Sequence, residues 1–424
     1  MQYKGTAFYN NVDMRRQKNA RSALFFALQL LPLYPKRSMT MKQTVFLILL
    51  WLVFVPAAMA RKGLSREDAQ RMQERVISEW MQREREVGRE ILSQSEPGRV
   101  VRSERATMPF WYTVYGSAPM GQRSLWISLH GGGGVPQEVN DGQWDNQKRL
   151  YQPEEGVYVA PRAPWNAWNM WCQEPVDELY EKLIRLMVAC EGVDPDRVYL
   201  MGYSAGGDGV WREAPRLADH WAAASMMAGH PGDVSLVNLR NLPFMIWCGA
   251  LDEAYQRNTL CAQRGVQMDS LQHDCPEGYV HRTEIMPGKA HWMDREDRAA
   301  LPWMRRYVRN PYPTAIVWQQ EEVLRPAFYW LQAPADELQR GRRVDVSVRD
   351  NVITIARCDY GSLTLWLNDE LVNLDRRVTV KYQGRTVFRG RVAREENNMV
   401  ASLGERGDPR YCFPACVQVQ LAAR

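Results

Sequence analysis

The chain has 424 residues, 45% of them apolar, with 16 tryptophans and a formal net charge of +5. This length and apolar content can form a sizeable core with a second, smaller unit. The positive charge comes from residues 1–60, which carry eight Lys or Arg and one Asp; the remaining 46 basic and 48 acidic residues give a net charge of −2. A polybasic face is therefore not indicated, and no nucleic-acid partner is expected.

Residues 41–60 have the pattern of a secretory signal peptide. A basic start precedes the apolar run 44–55 and the small residues Ala58 and Ala60, so we expect cleavage near Ala60 and a secreted or periplasmic product. A membrane anchor is the alternative, but the apolar run is shorter than the roughly 20 residues that span a bilayer, and no stable anchor is expected. Because signal peptides begin at the amino terminus, residues 1–40 are interpreted as a non-native upstream extension.

Residues 61–104 are expected to be a helical segment. The pattern of 64–92 predicts a long amphipathic helix, with Ser65 as N-cap and Asp68 three residues later. Such a helix either packs on the following domain as a brace or serves as an arm that binds a partner. Residues 105–310 then alternate strand and helix signals, which predicts an α/β domain with a mostly parallel sheet and helices on both faces.

A glycine-rich loop, 130–134, follows a predicted strand. Such a loop leaves backbone N–H groups free, and two N–H donors aimed at a developing negative oxygen form an oxyanion hole. Gly131 or Gly132 is the expected donor from this loop, together with Ala205. A phosphate-binding loop is disfavoured, because the Lys-Ser/Thr that follows the glycines of such loops is missing. His130 is interpreted as a hydrogen-bonding brace, since it precedes the candidate serine in the chain.

The loop 164–171 follows a predicted strand at 157–160 and contains three tryptophans. Trp165, Trp168 and Trp171 offer flat amphipathic faces that suit a sugar ring, a phenolic acid or a hydrophobic polyester. Packing in the core is the alternative for the same residues. These tryptophans are therefore candidate substrate-binding residues.

The sequence Gly-Tyr-Ser-Ala-Gly at 202–206 follows an apolar strand signal at 197–201 and precedes the helix-compatible segment 210–217. A serine hydroxyl is exposed at the end of a strand only if the backbone turns sharply into a helix, and flanking glycines permit that turn. The pattern is typical of a nucleophile elbow centred on Ser204. An ordinary glycine-rich turn is the alternative.

A carboxylate and an imidazole are expected at the same sheet edge as Ser204. Asp252 follows the predicted strand 242–249, and His291 follows the predicted strand 282–286. The order Ser204, Asp252, His291 indicates a catalytic triad in which the imidazole takes the serine proton and the aspartate fixes its tautomer.

Two residues compete for these roles. Glu253 is a rival to Asp252 as the acid. His230 follows a predicted strand at 222–227, but it precedes Asp252 in the chain, so it is expected to line the site as a substrate-binding residue rather than to act as the base.

Residues 311–424 change to period-two patterns and predict a small all-β domain, which either shields the α/β domain or binds a polymer. All eight cysteines lie after Ala60, so disulfides are permitted, and their pairing stays open. Cys261 with Cys275 is a candidate local bridge, and Cys248 is a candidate buried thiol. No metal site is expected.

From about residue 124 to 308 the chain resembles the secreted α/β-hydrolase esterases of the polyhydroxybutyrate depolymerase, feruloyl esterase and acetylxylan esterase group. The motifs that carry the resemblance are 130–134, 202–207, 249–252 and 288–291. The resemblance implies an α/β-hydrolase fold with a Ser-His-Asp triad and no metal or organic cofactor. It does not specify the acyl group.

The sequence thus predicts a secreted serine carboxylic-ester hydrolase that forms an acyl-enzyme. Its expected partner is an ester substrate, either small or polymeric, built on a polysaccharide, a phenolic acid or a polyester. A serine peptidase on the same fold is one alternative, although no propeller pattern precedes the catalytic region. A catalytically inactive binding protein is the other, and the oligomeric state is left open.

Overall fold

The computed structural model describes residues 63–96 and 98–421. The predicted upstream extension and signal peptide lie outside the described residues. From Gly63 onward the chain forms one compact unit. Within the described ranges, no helix is long and apolar enough to cross a membrane.

The first two thirds of the described chain alternate strands and helices, as the sequence predicts. The elements are α1 (Arg66–Leu92), β1 (Val100–Arg102), β2 (Thr107–Tyr115), β3 (Arg123–Leu129), α2 (Gln137–Leu150), β4 (Gly156–Pro161), α3 (Pro175–Glu191), β5 (Val193–Tyr203), α4 (Ala205–Arg216), β6 (Ala223–Met227), β7 (Phe244–Gly249), α5 (Arg257–Asp274), β8 (His281–Met286) and α6 (Ala300–Met304).

Strands β1 to β8 form one sheet in the order β1-β2-β4-β3-β5-β6-β7-β8. The strands from β4 to β8 in that order pair in parallel, whereas β2 pairs antiparallel with both β1 and β4. The carboxyl ends of β5, β7 and β8 therefore meet at one edge of the sheet, where ligands of open α/β sheets bind.

Side chains alternate between the two faces of this sheet. Leu125 and Ile127 on β3 belong to a hydrophobic cluster with residues of α3, α4 and α5. Trp126, between them in sequence, belongs to a second cluster with residues of α2 and α6. Both faces are thus covered by helices, and the predicted α/β-hydrolase class is confirmed.

The last third of the chain adds two smaller sheets and a helix. Its elements are β9 (Ala315–Gln319), β10 (Ala327–Phe328), β11 (Leu331–Gln332), β12 (Arg343–Arg349), β13 (Val352–Cys358), β14 (Ser362–Leu367), β15 (Val378–Tyr382), β16 (Arg385–Gly390), α7 (Glu396–Arg406) and β17 (Ala415–Gln420). One sheet has the order β10-β11-β14-β17 and the other β16-β15-β13-β12-β9. The helix α7 was not anticipated from the alternating pattern.

The last third shares its core with the main sheet. Leu200 on β5 and Leu363 on β14 belong to the same cluster of buried side chains. Helix α1 packs its buried Val76 and Trp80 against Met399 and Leu403 of α7. The Arg85 side chain of α1 also donates to the Ala189 carbonyl of α3 over 2.9 Å, so the helix contacts the α/β domain as the brace interpretation expects.

Buried ion pairs also connect the last third to the main sheet. Arg309 donates to Asp196, at the start of β5, over 2.9 Å and to Asp408 over 2.7 Å, and its side chain is 2% exposed. Asp219, after α4, pairs with Arg406 of α7. Removing the residues after 310 would take Asp408 from Arg309 and Arg406 from Asp219, and the loss of a partner by a buried charge is strongly destabilising.

All eight cysteines are free. The predicted Cys261–Cys275 bridge is absent because Cys261 is buried and directs its thiol to the Gly229 carbonyl, whereas the thiol of Cys275 contacts Arg240. Cys248 is buried, in agreement with its prediction as a buried thiol.

We predict that Arg309→Met lowers the free energy of unfolding by about 3–5 kcal/mol, because it leaves Asp408 buried without its ion-pair partner and leaves Asp196 with Arg410 alone. The control is Arg75→Met, which removes an ion pair between α1 and Glu396 whose side chains are 55% and 47% exposed. That exposed pair contributes about 1 kcal/mol or less. Urea unfolding of both variants measures the difference, and equal losses would contradict the prediction.

Candidate active site

Ser204 lies at the turn between β5 and α4. Its φ is 56° and its ψ is −122°. A non-glycine residue adopts such a conformation only when its surroundings impose it, and residues of this kind concentrate at functional sites. The helix begins at Ala205 immediately after the turn, earlier than its predicted start near Val210.

Close backbone contacts hold this turn in place. A Cβ at Gly202 would lie 2.3 Å from the Gly206 carbonyl oxygen, and a Cβ at Gly206 would lie 2.2 Å from the Leu129 carbonyl oxygen. The amide of Ser204 donates to the Met227 carbonyl over 2.9 Å. The glycines are therefore required because side chains there would separate α4 from the strand ends.

The structure brings Ser204, His291 and Asp252 together. The Nε2 atom of His291 lies 3.0 Å from the Ser204 Oγ, and the Nδ1 atom lies 2.7 Å from Asp252 Oδ2. With the proton on Nδ1, the imidazole donates to the carboxylate and accepts from the serine hydroxyl. This is the arrangement in which a neutral imidazole serves as a general base.

Asp252 is buried and Glu253 is exposed. The second carboxylate oxygen of Asp252 lies 3.5 Å from an Nη1 atom of Arg257. The amide of Asn258, in the first turn of α5, donates to the Asp252 carbonyl over 3.1 Å. Asp252, and not Glu253, is therefore the partner of His291.

Tyr203 is a positioning residue that sequence reasoning missed. Its hydroxyl donates to the His291 carbonyl over 2.6 Å and accepts from the Met293 amide over 3.1 Å. Burial raises the pKa of the Tyr203 phenol, so the hydroxyl keeps its proton for this bond. The position of Tyr203 directly before Ser204 could have suggested a role at the site. The motif does not indicate, however, that its hydroxyl contacts the loop of His291.

Asn140 on α2 holds the glycine-rich loop and was also missed. Its Oδ1 accepts from the Gly133 amide over 3.0 Å, and its Nδ2 donates to the Gly133 carbonyl over 3.0 Å. The Gly133 amide is thereby occupied. Within the described chain, the amides of Gly131 and Gly132 have no hydrogen-bond partner, so these two stay available as oxyanion donors.

The other expected donor, Ala205, begins α4, and the first N–H groups of a helix have no acceptor within it. Gly131 lies beside the serine, because a Cβ there would be 3.2 Å from the Ser204 Cβ. The structure therefore places Gly131 next to the candidate nucleophile, with Ala205 following it in the chain.

His130 braces the same loop. Its Nδ1 lies 2.6 Å from the Gly131 carbonyl, which it reaches as a donor, and its Nε2 accepts from the Ala163 amide over 3.1 Å. Burial lowers the pKa of His130 to about 3, so the ring is neutral at ordinary pH. Both nitrogens are engaged, in agreement with its interpretation as a brace.

The three tryptophans of the loop 164–171 have different environments. Trp168 is 61% exposed and covers Gly133 and Gly134 of the oxyanion loop. Trp165 is partly buried against the main cluster. Trp171 is 1% exposed and donates to the His130 carbonyl over 3.0 Å, so its prediction as a substrate-binding residue is wrong and the core alternative applies.

His230 does not reach the site. Its amide donates to Asp208 over 2.6 Å and its Nδ1 accepts from the Gly232 amide over 3.0 Å, which fixes the ring within its own turn. Among the described residues, those that line the cleft at Ser204 do not include His230. The expectation that it lines the site is therefore corrected.

A cleft of about 730 Å³ opens at Ser204 and His291. Gly131 and Gly132 line it, and so does Trp292, the residue after the histidine. Among the described residues, no three His, Cys, Asp or Glu side chains are grouped as metal ligands would be. The cleft is large enough for a small ester or one end of a polymer.

No family model and no curated protein matches the chain. Among solved structures it is similar to a thermostable esterase at 20% identity and a TM-score of 0.40, covering 50% of this chain and 62% of that chain. It is also similar to a ferulic acid esterase, at 16% identity and a TM-score of 0.35, covering 49% of this chain and 96% of the other. The enterobactin esterase FES from Shigella flexneri matches at 16% identity and a TM-score of 0.35, covering 49% and 57%.

We predict that Gly206→Ala disrupts the elbow, because its Cβ would meet the Leu129 carbonyl at 2.2 Å. The expected loss of stability is at least about 1–3 kcal/mol, as for overpacked interiors. The control is Gly404→Ala in α7, whose Cβ would meet no atom within 4 Å. This change should stabilise the protein by about 0.5–1 kcal/mol. Thermal melting of both variants tests the difference, and an unchanged Gly206→Ala protein would refute the constraint.

Proposed function

We propose that this protein is a serine carboxylic-ester hydrolase. The observation that carries the proposal is the continuous hydrogen-bonded relay from Asp252 through His291 to Ser204, over 2.7 and 3.0 Å, with the serine on a strained elbow. A structural serine needs no such arrangement. A nucleophile next to a base that is itself oriented by an acid is the arrangement of covalent catalysis.

In the acylation step, the Ser204 Oγ attacks the ester carbonyl carbon while His291 Nε2 takes the hydroxyl proton. The resulting imidazolium is stabilised by the buried side chain of Asp252, which holds it by the hydrogen bond from Nδ1. The carbonyl oxygen becomes negative and accepts from the amides of Ala205 and of Gly131 or Gly132. His291 then gives its proton to the alkoxy oxygen, the alcohol leaves, and the acyl group remains on Ser204.

In the deacylation step, a water molecule takes the place of the alcohol. His291 Nε2 accepts one water proton as the oxygen attacks the acyl carbon, and the same amides hold the oxyanion. The proton then returns to Ser204 Oγ as the bond from serine to carbon breaks. The carboxylic acid leaves, and the relay is restored.

Exposed aromatic side chains support esters of a polysaccharide, a phenolic acid or a polyester as substrates, although of these Trp292 lines the cleft and Trp168 does not. Trp168 faces Tyr255, with ring centroids 6.4 Å apart, and both rings are largely exposed. Trp292 is exposed beside His291. Flat amphipathic rings of this kind bind sugar or aromatic groups at a small entropy cost.

We predict that Ser204→Ala lowers ester hydrolysis at least about a thousandfold, as loss of a triad nucleophile does. Its control is Ser270→Ala, which alters an exposed serine on α5. A fluorophosphonate probe should label the wild type and the control but not Ser204→Ala. Acetylated xylan, methyl ferulate, polyhydroxybutyrate, p-nitrophenyl acetate and a peptide anilide form the substrate panel.

Equal labelling of Ser204→Ala would overturn the assignment of the nucleophile. An unlabelled wild type that hydrolyses none of the panel would favour a binding protein, and cleavage of the anilide alone would favour a peptidase.

We also propose that the enzyme is exported after cleavage near Ala60, on the strength of the basic start and the short apolar run before it. We predict that the exported protein begins at Arg61. Intact-mass measurement of protein recovered outside the cytoplasm tests this, and a mass that includes residues 1–40 would contradict it.

A further inference from the structure

Three arginines lie at the cavities beside the candidate nucleophile. Arg149 is in the last turn of α2, and Arg295 and Arg298 follow the loop that carries His291. All three side chains are exposed. Within residues 63–96 and 98–421, none of the three guanidinium groups makes a salt bridge or a hydrogen bond from its side chain.

These arginines link two cavities. Arg149 and Arg295 line the 730 Å³ cleft that contains Ser204 and His291. The same two arginines also line a second cavity of about 400 Å³, to which Arg298 and Arg305 contribute. A cationic surface therefore extends from the nucleophile into the adjoining cavity.

Acidic side chains near this surface are already engaged. Glu154, in the second cavity, pairs with Arg305. Asp294 and Glu296, on either side of Arg295, both pair with Lys289 over 2.8 and 2.7 Å. Asp297 is buried and accepts from the Tyr151 hydroxyl.

The described residues that line the cleft at Ser204 include no carboxylate. Its polar wall is formed by the amides of Gln143, Asn146 and Gln147. Neutral amides leave the positive potential of Arg149 and Arg295 uncompensated within the cleft. A low-dielectric concavity with one sign of charge concentrates ligands of the opposite sign.

We propose that this site selects esters that carry an anionic carboxylate or phosphate group, which Arg149 and Arg295 bind while Ser204 attacks the ester. The inference rests on the proposed ester hydrolase function and adds to it the charge of the substrate. The planar guanidinium group matches the two oxygens of such an anion and stays charged at all working pH values. An ester with an anionic group away from the scissile carbonyl would lie along the path from Ser204 to these arginines.

The test uses two pairs of esters that differ in one charge. On the acyl side, the pair is the p-nitrophenyl half-ester of suberic acid and its neutral terminal amide. On the alcohol side, the pair is para-carboxybenzyl acetate and para-carbamoylbenzyl acetate. The measured quantity is the ratio of kcat/KM for the anionic ester to that for its neutral partner, determined at low and high salt.

The wild type should favour the anionic member of at least one pair, with a ratio that falls as salt rises. Arg149→Gln and Arg295→Gln should each lower that ratio about tenfold, since a charge-assisted hydrogen bond contributes about that factor. The matched control is Arg385→Gln on β16, which removes an exposed arginine that lines neither cavity. It should leave the ratio unchanged.

Inorganic phosphate separates the two anion chemistries. Competitive inhibition by phosphate that is weakened in Arg149→Gln would support a phosphate-bearing substrate, and a carboxylate preference without phosphate inhibition would support a carboxylate-bearing one. Hydrolysis of both neutral esters through Ser204, with no anionic preference in either pair, would overturn this inference alone. If none of the four esters is hydrolysed and the fluorophosphonate probe labels nothing, the proposed hydrolase function itself fails.

Discussion

The contact of the amino-terminal turn of α4 with the ends of β3 and β5 determines the rest of this site. Gly202 and Gly206 bring helix and strand backbones so near that no side chain fits between them. That contact sets the turn at Ser204, and the turn directs the hydroxyl away from the sheet towards the loop of His291. The oxyanion amides follow from the same geometry, since Ala205 begins the helix and Gly131 follows the strand that the helix touches. A loosened contact would displace the nucleophile and both donors together.

A second constraint comes from charge rather than from shape. Five charged side chains that are almost inaccessible to solvent lie on both sides of residue 310: Asp196, Asp219 and Arg309 before it, and Arg406 and Asp408 after it. Each is tolerable only because a partner is present. Two of the pairs, Arg309 with Asp408 and Asp219 with Arg406, join the chain before residue 310 to the chain after it. The last third is therefore part of the same cooperative structure as the catalytic sheet. Whether this region shields the α/β domain or binds a polymer, its deletion would also destabilise the core.

The fold class and the three triad residues could be predicted because they depend on local patterns. In a parallel sheet, the residues that directly follow the strands lie at the same edge. The glycine-flanked serine, the aspartate and the histidine each follow a predicted strand, so they were expected to meet there. Tyr203 and Asn140 could not be predicted as braces, because their partners are distant loops that no periodicity describes. The prediction that Trp171 binds substrate was wrong for a related reason, because the sequence of the loop does not indicate which of its three tryptophans is buried. Arg149 and Arg295 are far apart in sequence, and only the packed structure brings them to one cleft.

Helix α1 has a consequence for the order in which the molecule is assembled. Its apolar face meets α7, and the Gln73 side chain donates to the Cys412 carbonyl over 2.7 Å, a contact between residues 339 positions apart. Most of the stability of a helix in a protein comes from the packing of its amphipathic face, and contacts between distant residues slow folding. During synthesis, Val76 and Trp80 lack these partners until Met399 and Leu403 have been added. The nascent protein thus carries this apolar stripe without its α7 partners while the α/β sheet is being made, and α1 can join α7 only after that sheet has emerged.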